Sequence, residues 1–390
     1  MAVKNFTSVS PKDAVKYALA LTKFKKIPFF FHGKPGVGKS DIVKQVADSL
    51  GMKLEVVMLT QIEAQDLRGL SFPDADSKRT THYIPEFLPT EDSPPTVVFL
   101  DELTGAEQRL QVAAYQLLLS GRLGNYVLPS HSYVCAAGND ITDGAVAYEM
   151  GTALASRLMH FNIQAEPRSF LEWGANAGVH PDVLTLINVK GDLLEQNEKQ
   201  VEANHMVGPN PRNWERVSSI LNEFGSLKNR AFVEPMIDGL VGKAACADLF
   251  LTAEEMSGLP PTAELFSDMN DGEFTVKVVS NIKSISSLYG ISNSMLAYVN
   301  NADTANKMSE VFNRLTASQD LNRLGLPVRE IQTYAMEMLM LRAVTLNVFD
   351  NLLQSSDFRD YMRTAKDATS VGSNTASGNV QASAKSKKGK

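Results

Sequence analysis

The sequence predicts an α/β fold built on a parallel sheet, and three observations carry that prediction. The run Ile27-Pro28-Phe29-Phe30-Phe31 is short and apolar, suited to a buried strand. It leads through a Gly-rich stretch into helical periodicity from Asp41 to Leu50, with Gly51 just past the end as a helix stop. Thr96-Val97-Val98-Phe99-Leu100 is continuously apolar, as a central parallel strand covered on both faces must be. Helical patterns, notably Gln108 to Leu119, fall between such runs, and that alternation is what a parallel sheet with covering helices requires.

The elements follow in order. Ser10-Pro11-Lys12-Asp13 reads as a helix start, with Ser10 as N-cap, Pro11 at the first helical position, and Ala14, Tyr17, Ala18 and Leu21 on one face. The first strand is the run at 27–31. Leu54 to Leu59 supplies a second, residues 96–100 a third, and Tyr133-Val134-Cys135-Ala136-Ala137 a fourth. Around Arg168 the pattern changes to helix after helix: Ser169 to Ala177, Pro181 to Ile187 and Asn213 to Asn222. Further helices are expected at about Ala302 to Thr316 and Val328 to Leu353, beyond a Gly/Pro loop at Ser257-Gly258-Leu259-Pro260-Pro261. From Thr369 the composition turns to Ser, Gly, Asn, Ala and Thr and ends in lysines, which reads as a flexible tail. These shifts divide the chain into an α/β domain at 1–167, a helical segment at 168–240, a second helical region at 241–368 and a disordered tail at 369–390.

With 390 residues the chain has room for two or three domains. Its 38 basic and 44 acidic side chains, a formal charge of -6, argue against coating nucleic acid by bulk electrostatics, although a local basic groove stays open. The two cysteines, Cys135 and Cys246, make neither a disulfide framework nor a CxxC metal site, which fits a reducing cytoplasm. The N-terminal stretch is interrupted by Lys4, Lys12, Asp13 and Lys16, so no signal peptide is expected. The apolar stretch from Ile331 to Leu353 is broken by Glu337, Arg342 and Asp350, so no membrane span is expected. The six histidines show no HxxxH or HExxH spacing.

The chemistry begins at Gly33-Lys34-Pro35-Gly36-Val37-Gly38-Lys39-Ser40, a GxxxxGK[ST] phosphate-binding loop. Its glycines let the backbone of Gly33, Pro35, Gly36, Val37 and Gly38 curl so that successive N–H groups face phosphate oxygens. The helix opening at Lys39, Ser40 and Asp41 adds its positive N-terminal end. Lys39 is expected at the β- and γ-phosphates of a nucleotide, and Ser40 on a bridging Mg²⁺. Asp101-Glu102 ends the apolar strand at 96–100, where ligands bind in open α/β sheets. There Asp101 is expected to hold Mg²⁺ and Glu102 to orient and polarise the water attacking the γ-phosphate of ATP. Gly138-Asn139, at the end of the fourth strand, puts an amide where it can align the same water; taken alone, such an Asn is a turn residue.

Taken in series, the phosphate loop, the strand-terminal Asp101-Glu102 and Asn139 resemble the AAA+ ATPases. The closer resemblance is to the MoxR branch, related to the dynein-type and chelatase-type members. It rests on Gln61-Ile62-Glu63-Ala64-Gln65-Asp66-Leu67-Arg68-Gly69-Leu70, on Tyr83-Ile84-Pro85-Glu86-Phe87-Leu88-Pro89 and on Gly121-Arg122-Leu123-Gly124-Asn125-Tyr126-Val127-Leu128-Pro129. The last of these is similar to that branch's hairpin ahead of the fourth strand. The resemblance implies a P-loop AAA+ core with a parallel five-stranded sheet, a helical lid over 168–240 and a further all-helical C-terminal region. It implies that Asn139 is the sensor 1 residue. Ala153-Leu154-Ala155-Ser156-Arg157-Leu158 matches the family's arginine-finger segment, so Arg157 would reach the γ-phosphate of the neighbouring subunit's site. Pro209-Asn210-Pro211-Arg212-Asn213-Trp214 resembles the sensor 2 motif and makes Arg212 the lid's contact with nucleotide; a helix start capped by Asn210 explains most of the same residues. Asp140 departs from the Pro expected after Asn139 in many relatives.

The function this implies is ATP hydrolysis to ADP and phosphate by a homo-oligomeric ring, expected to be a hexamer. The ring would remodel or activate a partner protein in a chaperone-like way. In the family that partner is often one with a von Willebrand factor A domain. A motor acting on nucleic acid, or a weakly hydrolysing nucleotide-controlled scaffold, are the alternatives.

Overall fold

The computed structural model describes residues 7–24, 27–76, 79–139, 155–196 and 207–365. Asp140, Ala153, Leu154, His205 and the Lys-containing tail at 369–390 lie outside the described residues. The chain divides into two compact units. The first contains Met1–Phe170, Asp192–Val217 and Pro235–Ala245, and the second Leu171–Gly191, Ser218–Glu234 and Cys246–Lys390.

The first unit is organised by its sheet. Ten short strands occur along the described chain: β1 (Ser8–Val9), β2 (Phe29–His32), β3 (Lys53–Met58), β4 (Leu70–Asp74), β5 (Arg79–Tyr83), β6 (Thr96–Asp101), β7 (Arg122–Leu123), β8 (Tyr126–Val127), β9 (Tyr133–Gly138) and β10 (Met159–Ile163). Six of them form one sheet in the order β1-β10-β2-β9-β6-β3. Every neighbouring pair in it is parallel. The four strands expected from the sequence are its inner members and one edge, and β10 completes the expected five. The correction is a sixth strand, β1, whose two residues pair with Asn162 and Ile163. Two residues are too few to show a period, and only pairing with β10 makes this segment a strand.

Strand alternation builds the layers. Phe30, Val98, Leu100, Val134 and Ala136 point to one face, where they pack with α4 (Gln108–Ser120) through Leu110, Ala113, Ala114 and Leu117. Phe29, Phe31, Val97, Phe99, Cys135 and Ala137 point to the other, against Ala14 and Ala18 of α1 (Pro11–Phe24) and Ile42, Val43 and Val46 of α2 (Lys39–Leu50). Because both faces are covered, β6 and β9 are buried along their whole length, which is why they read as unbroken apolar runs. The short α3 (Ala64–Arg68) leads into a β4–β5 hairpin, and a second hairpin, β7–β8, stands just before β9. The β7–β8 pair is where the Gly121–Pro129 segment was expected to form a hairpin. The β4–β5 pair was not expected: Pro73 and the charged Asp74 and Arg79 hide its alternation.

The second unit is helical. α5 (Pro167–Ala177) reaches into it, and α6 (Pro181–Val189) packs there with the helix Ile285–Tyr298. A buried polar chain ties these helices: Asn293 donates to Thr185 Oγ1 at 3.1 Å, Tyr334 donates to Asn293 Oδ1 at 3.0 Å, and Asn188 donates to the Tyr334 hydroxyl at 2.9 Å. Buried amides paired in this way avoid the desolvation cost of unmade hydrogen bonds. The helix expected over 328–353 is two, Val328–Thr345 and Phe349–Gln354. Asn347 sits at φ 57, while the Asn347 and Val348 N–H groups bond back to Val344 and Ala343, a Schellman stop that the continuing apolar pattern concealed. Among the described residues no helix is long and apolar enough to cross a membrane.

Candidate nucleotide site

The sheet order positions the site. β9 lies between β2 and β6, so the loops leaving these three parallel strands at their C-terminal ends are neighbours. The phosphate loop leaves β2, Asp101 ends β6, and Asn139 follows β9. Residues about 100 positions apart therefore meet because parallel strands deliver their ends to one edge.

The loop itself is curled. Gly36 has φ 81 and Gly38 φ 99, a left-handed region in which an L side chain is strained. Gly38 is also the N-cap of α2 and offers no side chain, so the first-turn N–H groups of this 12-residue helix are not capped by one. Lys39 is 8% exposed, yet its ammonium is satisfied: it donates to the Gly33 carbonyl at 2.6 Å, the Lys34 carbonyl at 3.2 Å and Asn139 Oδ1 at 2.7 Å. Ser40 donates to Asp101 Oδ2 at 2.7 Å, and Asp101 Oδ1 accepts the Glu102 N–H at 2.9 Å. The hydroxyl and carboxylate oxygens of Ser40 and Asp101 are hard donors meeting at one point, the type of set that suits Mg²⁺.

Glu102 stands at φ 56 and ψ 33, a left-handed conformation unusual for a residue with a side chain. Its carboxylate Oε2 accepts a hydrogen bond from the Thr60 hydroxyl, in the short helical turn that follows β3. Asn139 is fixed from behind, because Thr104 donates to its backbone carbonyl at 2.8 Å. The Asn139 amide is thereby held toward Lys39.

The outer side of the loop is closed by the start of α7 (Pro211–Phe224). The Arg212 N–H donates to the Gly36 carbonyl at 3.2 Å, while Asn210 caps the helix by accepting from the Asn213 N–H at 2.9 Å. A Cβ on Gly36 would lie 2.6 Å from Asn210 Oδ1, so close approach as well as φ calls for glycine here. Lys34 pairs with Glu195 at 3.1 Å. Burial and then the Asp41 carboxylate raise the Glu215 carboxyl, against the lowering effect of Arg212, Arg216 and Lys44.

The structure thus brings together Gly33, Gly36, Gly38, Lys39, Ser40, Asp101, Glu102 and Asn139, with Arg212 meeting the loop through its backbone. Pro35 and Asp41 are exposed at the rim, and Val37 is buried beneath it. Arg157 is not gathered into this cluster: it is exposed on the turn before β10. Thr60, Thr104 and Glu195 were not singled out from sequence, since each is an ordinary turn or loop residue until its partner is known; Asn210 makes the helix cap expected of it, and only its closeness to Gly36 is new.

Residues 28–140 match the model of the AAA domain of the dynein-related subfamily. No curated protein matches the chain. Among solved structures, NtrX from Brucella abortus in complex with ADP is 12% identical, covering 87% of this chain and 70% of that one, with a TM-score of 0.36. A candidate ATPase from Cytophaga hutchinsonii is 12% identical over 85% of this chain and 90% of its own, with a TM-score of 0.33. A RuvB mutant of Thermotoga maritima is 10% identical over 85% of each chain, with a TM-score of 0.30. The family match covers the phosphate loop, Asp101, Glu102 and Asn139, so over residues 28–140 this chain is similar to the AAA domains of the dynein-related subfamily.

Proposed function

We propose that this protein hydrolyses ATP to ADP and phosphate and uses the cycle to drive a homo-oligomeric ring, a hexamer, of the MoxR kind. The observation that carries the reading is the convergence of Lys39, Ser40, Asp101, Glu102 and Asn139 at one sheet edge through direct hydrogen bonds. Backbone N–H groups of residues 33–40 and the Lys39 ammonium bind the phosphates, compensating their charge. Mg²⁺, held by Ser40 and Asp101, would neutralise charge developing on the phosphate oxygens. Glu102 orients the attacking water and takes up its proton, and Asn139 aligns it. Arg157, exposed and away from its own chain's cluster, supplies the late positive charge to a neighbouring site, which makes assembly a condition of turnover. Arg212 reports nucleotide through the start of α7, within a lid over 168–240. The work is done on a partner protein, and one with a von Willebrand factor A domain is the class the resemblance implies.

The test has two arms. Glu102→Gln should keep ATP binding, lose turnover and hold the assembled ring; wild-type turnover would remove Glu102 from the mechanism. Mixing Lys39→Ala with Arg157→Ala subunits should restore hydrolysis at hybrid interfaces, and a folded, co-assembled mixture with none would defeat action in trans. Partners captured on the ATP-locked Glu102→Gln form and identified by mass spectrometry decide between protein and nucleic acid as the object of the motor.

A further inference from the structure

A pair of histidines outside the nucleotide cluster links its strand to the turn that bears Arg157. His32 ends β2 one residue before the phosphate loop, and His160 lies on the adjacent β10 three residues after Arg157. His32 Nε2 is 2.8 Å from His160 Nδ1, and His160 Nε2 is 2.7 Å from the Ala155 carbonyl oxygen.

The chemistry of the acceptor assigns the protons. A carbonyl oxygen only accepts, so His160 Nε2 carries a hydrogen. In the neutral ring its Nδ1 is then the acceptor, and His32 Nε2–H is the donor. The result is a one-directional chain from His32 through His160 to the Ala155 carbonyl. Both rings rest against buried Phe30, whose centroid is 4.5 Å from that of His32 and 5.9 Å from that of His160. That fixed wall limits ring rotation.

The turn at Ala155–Leu158 is also held at its far end. Leu158 is buried in the core that includes Phe30 and Leu100, and the Met159 N–H donates to the Pro28 carbonyl at 3.0 Å. These contacts secure the strand side of the turn. His160 Nε2, bonded to the Ala155 carbonyl, ties the start of the same turn, so Arg157 lies on a turn with a hydrogen bond at each end.

We infer that His160, backed by His32, is a positioning residue for Arg157, so that its loss damages the neighbouring subunit's site and leaves its own intact. The inference rests on the reading of Arg157 as acting in trans. A purely structural role for His160 would impair the site of the same chain instead, and the two are separable by complementation.

The experiment uses full-length chains in mixed assemblies. His160→Ala alone should lower kcat roughly ten- to hundredfold, the scale set by a misplaced catalytic group, with the KM for ATP unchanged. Mixed with Lys39→Ala, it should recover hydrolysis to the level that Arg157→Ala reaches in the same mixture. Mixed with Arg157→Ala, it should recover none, because neither chain offers a well-placed finger. His160→Gln, whose amide N–H can reach the Ala155 carbonyl, should regain part of the loss and serves where the alanine variant does not fold. Failure of His160 variants to recover with Lys39→Ala, while Arg157→Ala does recover, would overturn the inference and leave the trans reading standing. Full turnover by Arg157→Ala alone would overturn both.

Discussion

The Lys39 ammonium donates to Asn139 Oδ1 at 2.7 Å, joining the loops that leave the adjacent parallel strands β2 and β9. Lys39 holds two backbone carbonyls as well, so it does not depend on Asn139 to stay in place. Asn139→Leu should therefore leave ATP binding within a few-fold of wild type while lowering kcat about 10²-fold, the scale for removing one aligned polar group. Asn139→Asp should behave differently, because a carboxylate beside the ammonium competes with phosphate and weakens ATP affinity. Binding titrations with a non-hydrolysable analogue alongside steady-state kinetics separate the two.

Glu102, the carboxylate proposed to orient the attacking water, sits on a strained backbone. A left-handed conformation costs a residue with a Cβ roughly 1–2 kcal/mol, and glycine avoids most of this at some entropic cost. With Glu102 at φ 56, Glu102→Gly should be about 1 kcal/mol more stable than Glu102→Ala. Both should lose turnover, and denaturant unfolding of the two variants is the measurement. Equal stabilities would mean that the backbone relaxes without help.

Gly36→Ala would meet two obstacles at once, φ 81 and a Cβ 2.6 Å from Asn210 Oδ1. Asn210 cannot swing away freely, since its Oδ1 caps α7 at the Asn213 N–H. The variant should lose about 1–3 kcal/mol of stability and at least roughly tenfold in ATP affinity. Adding Asn210→Gly should recover the part due to the clash and none of the part due to φ. Thermal unfolding and nucleotide titration of the single and double variants measure both parts.

A pH effect is expected in the second unit, far in sequence from the phosphate loop. His180 caps α6 by accepting the Asp182 N–H on Nδ1 at 3.2 Å, which needs that nitrogen unprotonated. Burial lowers the His180 pKa below the usual 6.5, against the raising effect of Asp182. The unfolded chain takes up the proton first, so stability is full above the unfolded pKa and declines as pH falls below about 6.5, until the folded ring also protonates. His180→Asn keeps a cap acceptor that does not titrate. Its unfolding midpoint should vary less between neutral pH and pH of about 5 than that of wild type, and parallel curves would exclude His180 as the source.

Much of the nucleotide site was legible because each part is local in sequence. A Gly-rich turn between an apolar strand and a helix, and two carboxylates at the end of a buried strand, are signals contained in a few adjacent residues. The strands at 29–32, 53–58, 96–101 and 133–138 likewise stand within two residues of where apolar runs placed them. The supports of the site were not legible for the opposite reason. Thr60 reaches Glu102 across 42 positions, Thr104 reaches Asn139 across 35, and Asn210 reaches Gly36 from the other end of the first unit's sequence. Neither threonine has a distinctive type or spacing, and the cap pattern at Asn210 says nothing about Gly36.

By itself, the sequence determined that a phosphate-binding loop opens a parallel α/β sheet and that acidic and amide groups wait at the ends of two further strands. Periodicity and turn chemistry act over a few residues, and these features need no more than that. Tertiary structure decided the order β1-β10-β2-β9-β6-β3, and with it that the strand ending at Asn139 runs between the strand leading to Lys39 and the strand ending at Asp101. It also decided that His32 and His160 meet. Strand order depends on the packing of whole helices against both faces of the sheet, a property no single stretch of the chain contains.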